Sequence, residues 1–294
     1  MEPQNAAIAL SSRAKQHLAL SSPRRAGGHE AWSAAYREQG QGVPLLLLHG
    51  FLGDGGCWQP LMAQLEHQFH CIALDLLGFG ESAKPQMRYD IATEVAFVRA
   101  VVVALDLAPC YILGHSFGGW VAAAYALAYP EAVKGLVLAA AAGIRDDSFC
   151  GRYDHLRPLL WRSPLVDGLL SLATPLATLL GQRPTLKQLR WFRRELMAQP
   201  AARSFLMDRL RPEDAVDTVE AEIHRLRVPT VVVIGERDDT IPRWHAQTYA
   251  QEIPGAHLVI LPNADHALPQ NHAGQLANLT LELAANCSNS SHQG

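Results

Sequence analysis

The stretch Cys110-Tyr111-Ile112-Leu113-Gly114-His115-Ser116-Phe117-Gly118-Gly119-Trp120-Val121-Ala122-Ala123-Ala124-Tyr125-Ala126-Leu127 divides into three parts by residue type. Cys110 to Leu113 are apolar and β-compatible, three glycines surround one serine between 114 and 119, and small helix formers follow from Trp120. The pattern reads as strand, sharp turn, helix. Gly114-His115-Ser116-Phe117-Gly118 fits G-x-S-x-G, a turn so tight that the flanking side chains must nearly vanish. A hydroxyl placed there, at the start of a helix, is open to a reacting carbonyl. The backbone N–H of Phe117 and the helix dipole favour the oxyanion that forms. The same five residues also arise by chance in glycine-rich turns, so the reading depends on partners elsewhere in the chain.

Composition bounds what those partners serve. A chain of 294 residues, 49% hydrophobic and 18% charged, is long enough for one large globular domain with an insertion. A formal charge of −3 gives no overall field to recruit nucleic acid or an anionic membrane, which points to a small neutral or weakly charged ligand. Five cysteines, at 57, 71, 110, 150 and 287, lack C-x-x-C spacing and read as reduced thiols without a structural zinc. The first 30 residues hold no apolar run of signal-peptide length, so a cytoplasmic location is expected.

Outward from the serine, buried-strand runs alternate with helical patterns. Pro44 to Leu48, Cys71 to Leu74, Gly135 to Ala140, Thr230 to Ile234 and His257 to Leu261 are strands, and Trp32 to Arg37 is an edge strand. This alternation predicts an α/β fold with a mostly parallel, doubly covered sheet. Between Ile144 and Leu226 the rhythm breaks into helical patterns punctuated by prolines. The expected organisation is a flexible extension over 1–28, a core over 29–143 and 227–285, a helical cap over 144–226 and a polar tail over 286–294.

Gly78-Phe79-Gly80 followed by Ala83 formally fits a dinucleotide fingerprint, which requires a helix to begin there. Pro85 and the restriction it places on Lys84 push the next helix to about Tyr89, which disposes of a nicotinamide site.

Acyl transfer from a serine needs a base and an acid on separate strand-end loops. Gly235-Glu236-Arg237-Asp238-Asp239-Thr240-Ile241-Pro242 and Pro262-Asn263-Ala264-Asp265-His266 follow two late strands in the order Ser, Asp, His. Together with His49-Gly50 and Asp75-x-x-Gly78-x-Gly80-x-Ser82, these landmarks resemble the α/β-hydrolase superfamily over roughly Trp32 to Ala284. The resemblance implies a nucleophile at Ser116, an acid at Asp238 and a base at His266. Asp239 and Asp146 compete for the acid, and His257 and His272 for the base. The resemblance also places a second oxyanion donor at the backbone N–H of Phe51, opposite that of Phe117, and gives His49 a structural role.

In this superfamily the insertion would be a lid over the serine. Its leucines and Trp161 are expected to give an apolar lining, with Phe51, Phe117 and Trp161 contacting substrate. The run Leu165 to Leu180 is too short and too interrupted to span a membrane. Arg152, Arg157, Arg162, Arg193, Arg194 and Arg203 are candidate clamps for a substrate carboxylate. The leading expectation is a serine hydrolase acting on a moderately hydrophobic ester without metal or organic cofactor. A carbon–carbon bond hydrolase and a non-catalytic ligand receptor are the alternatives. The aspartate-nucleophile relatives are disfavoured by Ser116.

Overall fold

The computed structural model describes residues 15–21, 31–146, 158, 160–208 and 217–290. Eight strands form one sheet: β1 (Lys15–Ser21), β2 (Ala31–Gln39), β3 (Val43–Leu48), β4 (Phe69–Leu74), β5 (Cys110–His115), β6 (Val133–Ala139), β7 (Thr230–Gly235) and β8 (His257–Leu261). They lie in the order β1-β2-β4-β3-β5-β6-β7-β8. β1–β2 and β2–β4 pair antiparallel and all later neighbours pair parallel. Leu45–Leu48 of β3 pair with both Cys71–Leu74 and Tyr111–Gly114. These leucines are almost wholly inaccessible, because a parallel strand covered on both faces has no solvent side.

The helices on the sheet are α1 (Gln59–Leu65), α2 (Ile91–Ala104) and α3 (Phe117–Ala128). Between β6 and β7 come α4 (Pro164–Leu172), α5 (Thr174–Leu179), α6 (Arg183–Ala198) and α7 (Pro200–Asp208). α8 (Arg243–Glu252), α9 (Leu268–Asn271) and α10 (Ala273–Ser290) complete the chain. α2 begins at Ile91, where Asp90 accepts the Thr93 N–H at 2.8 Å, an N-cap that satisfies an orphan helix donor. No helix opens at Gly78–Ala83, so the phosphate-cradling geometry of a dinucleotide site is absent from this loop.

Three sequence expectations are corrected. Within the expected flexible extension, Lys15–Ser21 is a strand, anchored where Lys15 Nζ meets Asp75 Oδ2 at 2.9 Å and Glu81 Oε1 at 3.0 Å. Trp32 to Arg37 is therefore an internal strand, paired on one side by β1 and on the other by β4. At the other end, α10 continues to Ser290, into the stretch read as a polar tail.

The sheet's carboxyl edge collects the loops that matter. Asp75, at the end of β4, accepts the amides of Gly55 at 2.7 Å and Glu81 at 2.8 Å in addition to Lys15. Ser82 Oγ donates to the Asp75 carbonyl at 2.5 Å and accepts the Ala35 amide at 2.9 Å. This knot fixes the loop that carries Phe79. Gly80, at φ +48°, leaves no room for a Cβ beside the Asp75 carboxylate, which explains a glycine there.

Candidate active site

Ser116 sits between β5 and α3 with φ 52° and ψ −115°, a backbone state that costs a non-glycine residue energy and must be held by its surroundings. The Ser116 amide donates to the Ala139 carbonyl at 2.9 Å, and its carbonyl accepts Ala142 N at 3.0 Å and Gly119 N at 3.0 Å. A Cβ on Gly118 would strike the carbonyl oxygens of Leu48 and His49, and one on Gly114 would strike that of Gly118. The two glycines of the G-x-S-x-G frame are thus required by contact with backbone, which cannot give way.

His266 Nε2 lies 3.1 Å from Ser116 Oγ, and His266 Nδ1 lies 2.8 Å from Asp238 Oδ2. Asp238 Oδ1 accepts the amides of Thr240 and Ile241, each at 2.9 Å. The Asp238 side chain is 1% exposed and that of His266 22%. A buried carboxylate with its oxygens filled by amides and an imidazole holds that imidazole with Nδ1–H toward the acid and Nε2 toward the hydroxyl. Asp239, in contrast, is exposed and, among the described residues, meets only Thr240 Oγ1, at 3.3 Å. Asp146 faces His245 instead, Oδ2 to Nε2 at 3.2 Å. Geometry thus separates the three carboxylates that sequence left in competition. His257 opens β8 and His272 follows α9, and neither is placed against Ser116.

Two further histidines shape the site without touching the hydroxyl. His49 Nε2 accepts the Leu76 amide at 3.0 Å, which leaves Nδ1–H to donate to the Gly50 carbonyl at 2.8 Å. Burial lowers its pKa, outweighing that hydrogen bond and the nearby carboxylates. His115 Nε2–H donates to the His266 carbonyl at 2.8 Å, and the two rings pack with centroids 4.8 Å apart. Burial, followed by the adjacent His266, lowers the His115 pKa to about 3, so this imidazole stays neutral. A Cβ on Gly50 would come within 2.8 Å of His115 Nδ1 and 3.3 Å of Ser116 Cβ. The His49–Gly50 turn is thereby pressed against the serine. Among the described residues, no acceptor takes the amide hydrogen of Phe51 or of Phe117. Phe51 follows Gly50, which packs on Ser116, and Phe117 follows Ser116 itself.

The wall beside these amides is aromatic. Phe117 contacts Phe51, Phe79, Trp120 and Phe205 with ring centroids 4.9–6.2 Å apart, edge-to-face or tilted arrangements that favour aromatic pairs. Trp161, expected to contact substrate, is instead 60% exposed and joins none of these ring pairs. Trp120, Phe79 and Phe205 were missed by sequence reasoning. Phe205 reaches Phe117 from α7 across 88 residues, a proximity that no local pattern reveals. Gln199 ties the cap to the loop after β3 through Nε2 to the Leu52 carbonyl, at 3.5 Å.

The candidate arginine clamps are engaged elsewhere. Arg193, buried within the cap, makes a bidentate pair with Asp167 at 2.8 and 2.9 Å and donates to the Trp161 carbonyl at 3.0 Å. Arg203 donates to the Leu160 carbonyl, Arg162 to Gln86 and Arg194 to Glu195. Arg152 and Arg157 lie outside the described residues.

A parallel-sheet core with a strained serine between strand and helix defines a class, and the family comparison agrees with it. A family model described as "Alpha/beta hydrolase family" matches residues 45–279, and the chain belongs to that family. The 2-hydroxymuconate semialdehyde hydrolase of Pseudomonas putida is 32% identical over 273 residues, covering 88% of this chain and 94% of that protein. An uncharacterised protein of Mycobacterium tuberculosis is 38% identical over 113 residues, and that match spans only 33% of its length. A solved thermophilic esterase from Thermogutta terrifontis superposes with a TM-score of 0.70 at 22% identity, covering 92% of this chain and 99% of that one, a likeness of fold.

Proposed function

We propose that the chain is a serine hydrolase of carboxylic esters with a moderately hydrophobic acyl group, working through an acyl-enzyme. The observation that carries this reading is the hydrogen-bonded line Ser116–His266–Asp238 beside two amides, of Phe51 and Phe117, that have no described acceptor. In the proposed reaction His266 Nε2 takes the Ser116 proton as Oγ attacks the ester carbonyl. The two amides and the α3 dipole hold the resulting oxyanion. His266 then returns the proton to the departing alcohol. Water repeats the attack with His266 as base and leaves free acid and free serine. No step uses a metal or an organic cofactor.

Two features favour a neutral ester over a carboxylated substrate. The ring wall of Phe51, Phe79, Phe117 and Phe205 is uncharged, and Arg193 already holds Asp167. A second reading, hydrolysis of a carbon–carbon bond in a dienoic or diketone acid, is favoured by the identity to the semialdehyde hydrolase. It needs the same serine line and a cation for the acid group. Hydrolysis of a p-nitrophenyl ester series from acetate to decanoate, run beside a ring-opened 2-hydroxy-6-oxo-dienoic acid, separates the readings. Faster ester turnover that is lost in folded Ser116→Ala supports the first. Turnover of the dienoic acid alone transfers the assignment to the second.

A further inference from the structure

Among the described residues, most of the exposed large hydrophobic side chains lie on the cap. Leu165, Leu169, Leu172, Leu176, Leu179 and Leu180 are each 59–84% exposed. Leu165, Leu169, Leu172, Leu176 and Leu179 recur every three or four residues along α4 and α5, and Leu180 follows at the end of α5, so they form one row along a helical path. The cap was expected to turn its leucines inward as a lining, and among the described ones Leu160 and Leu196 do so. The row of six does not.

Alongside it, α6 carries Arg183, Lys187, Arg190 and Arg194 at spacings of four, three and four, a second row on the exposed side of that helix. Leu196 and Arg193 occupy its buried side. The Arg193 pair with Asp167 joins the buried side of α6 to the side of α4 opposite its leucines, so both exposed rows belong to one layer of the cap. Trp161, just before α4, and Trp191, on α6, are 60% and 50% exposed. Residues 161–200 hold six basic and two acidic side chains, a surplus of four in a chain whose whole charge is −3. The modest overall charge therefore conceals a cationic stretch within the cap.

We infer that the α4–α6 face of the cap docks on an anionic lipid–water interface. An amphipathic surface with leucine on one side, Lys and Arg on the other and tryptophan at the boundary lies in the interface plane. Its apolar row enters the acyl boundary and its basic row meets anionic headgroups. A second copy meeting through this same face would match the leucines but set one basic row against the other, whereas anionic headgroups match both rows. No helix among the described residues is long and apolar enough to cross a membrane, so the contact is peripheral and reversible.

The test is flotation of the full chain with vesicles of pure phosphatidylcholine and of phosphatidylcholine mixed with phosphatidylglycerol, at low and high salt. Thermal unfolding of each variant checks its fold. Binding is expected to favour the anionic vesicles by about ten-fold or more and to weaken with salt. It is expected to be lost in Leu169→Glu/Leu176→Glu and reduced about ten-fold in Lys187→Glu/Arg190→Glu. No binding to either vesicle overturns the inference, as does equal binding to both that charge reversal leaves unchanged. A sedimentation result in which the leucine variants abolish self-association, with no vesicle binding by wild type, assigns the face to a second copy instead.

Discussion

His115 Nε2 lies 2.8 Å from the carbonyl oxygen of His266, so the residue before the serine holds the main chain of the residue that faces it. The hydrogen bond spans 151 positions and joins the end of β5 to the loop after β8. It sets the height of the His266 ring over Ser116. His115→Ala is expected to lower kcat about 10- to 100-fold with little change in KM, since small misplacements of reacting groups cost that much. Steady-state ester kinetics check it, and rescue by His115→Gln, whose amide can donate to the same carbonyl, marks positioning as the cause.

The same imidazole makes the fold acid-sensitive. His115 stays neutral in the folded chain down to about pH 3, whereas in the unfolded chain it takes up a proton below about 6.5. Unfolding thus binds a proton between those values, and stability falls as pH drops through that window. Between about pH 7.5 and about pH 5 this one group contributes a loss of about 2 kcal/mol. Burial lowers His49 as well, which adds in the same direction. Urea unfolding at the two pH values should show the loss, and a shallower dependence in His115→Asn.

Asp75 governs a lower window. Burial pushes its carboxyl up, but the Glu81 and Gly55 amides and the Lys15 ammonium together outweigh burial and hold it below the usual range. Its stabilisation is present above about pH 4 and is lost as pH falls through the depressed folded value. Asp75→Asn leaves Lys15 with only the exposed Glu81 as its counter-charge and is expected to cost about 1–3 kcal/mol, read as a lowered urea midpoint at neutral pH.

Much of the site was legible because each part has a local signature. The G-x-S-x-G turn, the loop holding Asp238 and the loop holding His266 all follow short apolar strands in a fixed order, and the structure brings these three residues together. What sequence could not reveal depends on distant partners. Lys15–Ser21 alternates weakly and reads as polar until Lys15 is seen beside Asp75. Phe205 joins Phe117 and Trp120 only once the cap folds back, whereas Trp120, three residues from Phe117 on the same helix, had a local signal in the helical spacing. Trp161 looked like a pocket residue because hydrophobicity reports burial on average, while the cap leaves it and the leucine row exposed.

Asp238 and Asp239 are adjacent and chemically alike, so they test geometry against sequence. Asp238→Asn is expected to reduce kcat by about 10⁴, because an amide disfavours the required imidazole tautomer. Asp239→Asn, exposed and apart from His266, should stay within about two-fold of wild type. Equal loss in both would show that the loop is read wrongly.

Gly50→Ala probes the turn that carries the Phe51 amide. The added methyl would stand 2.8 Å from His115 Nδ1 and 3.3 Å from Ser116 Cβ, so either the turn or the serine must move. Ester kcat/KM is expected to fall by about 10²- to 10³-fold, the scale of losing one oxyanion donor. Covalent labelling of Ser116 by a fluorophosphonate should slow in proportion, with thermal unfolding confirming the fold.

The most direct measurement is rapid acid quench of the enzyme with p-nitrophenyl butyrate in the first turnover, followed by peptide mass mapping. A butyryl group on Ser116, formed in step with a burst of p-nitrophenol and absent in Ser116→Ala, is the predicted result. A burst with the acyl group on another residue, or steady ester turnover that persists in folded Ser116→Ala, would contradict the account.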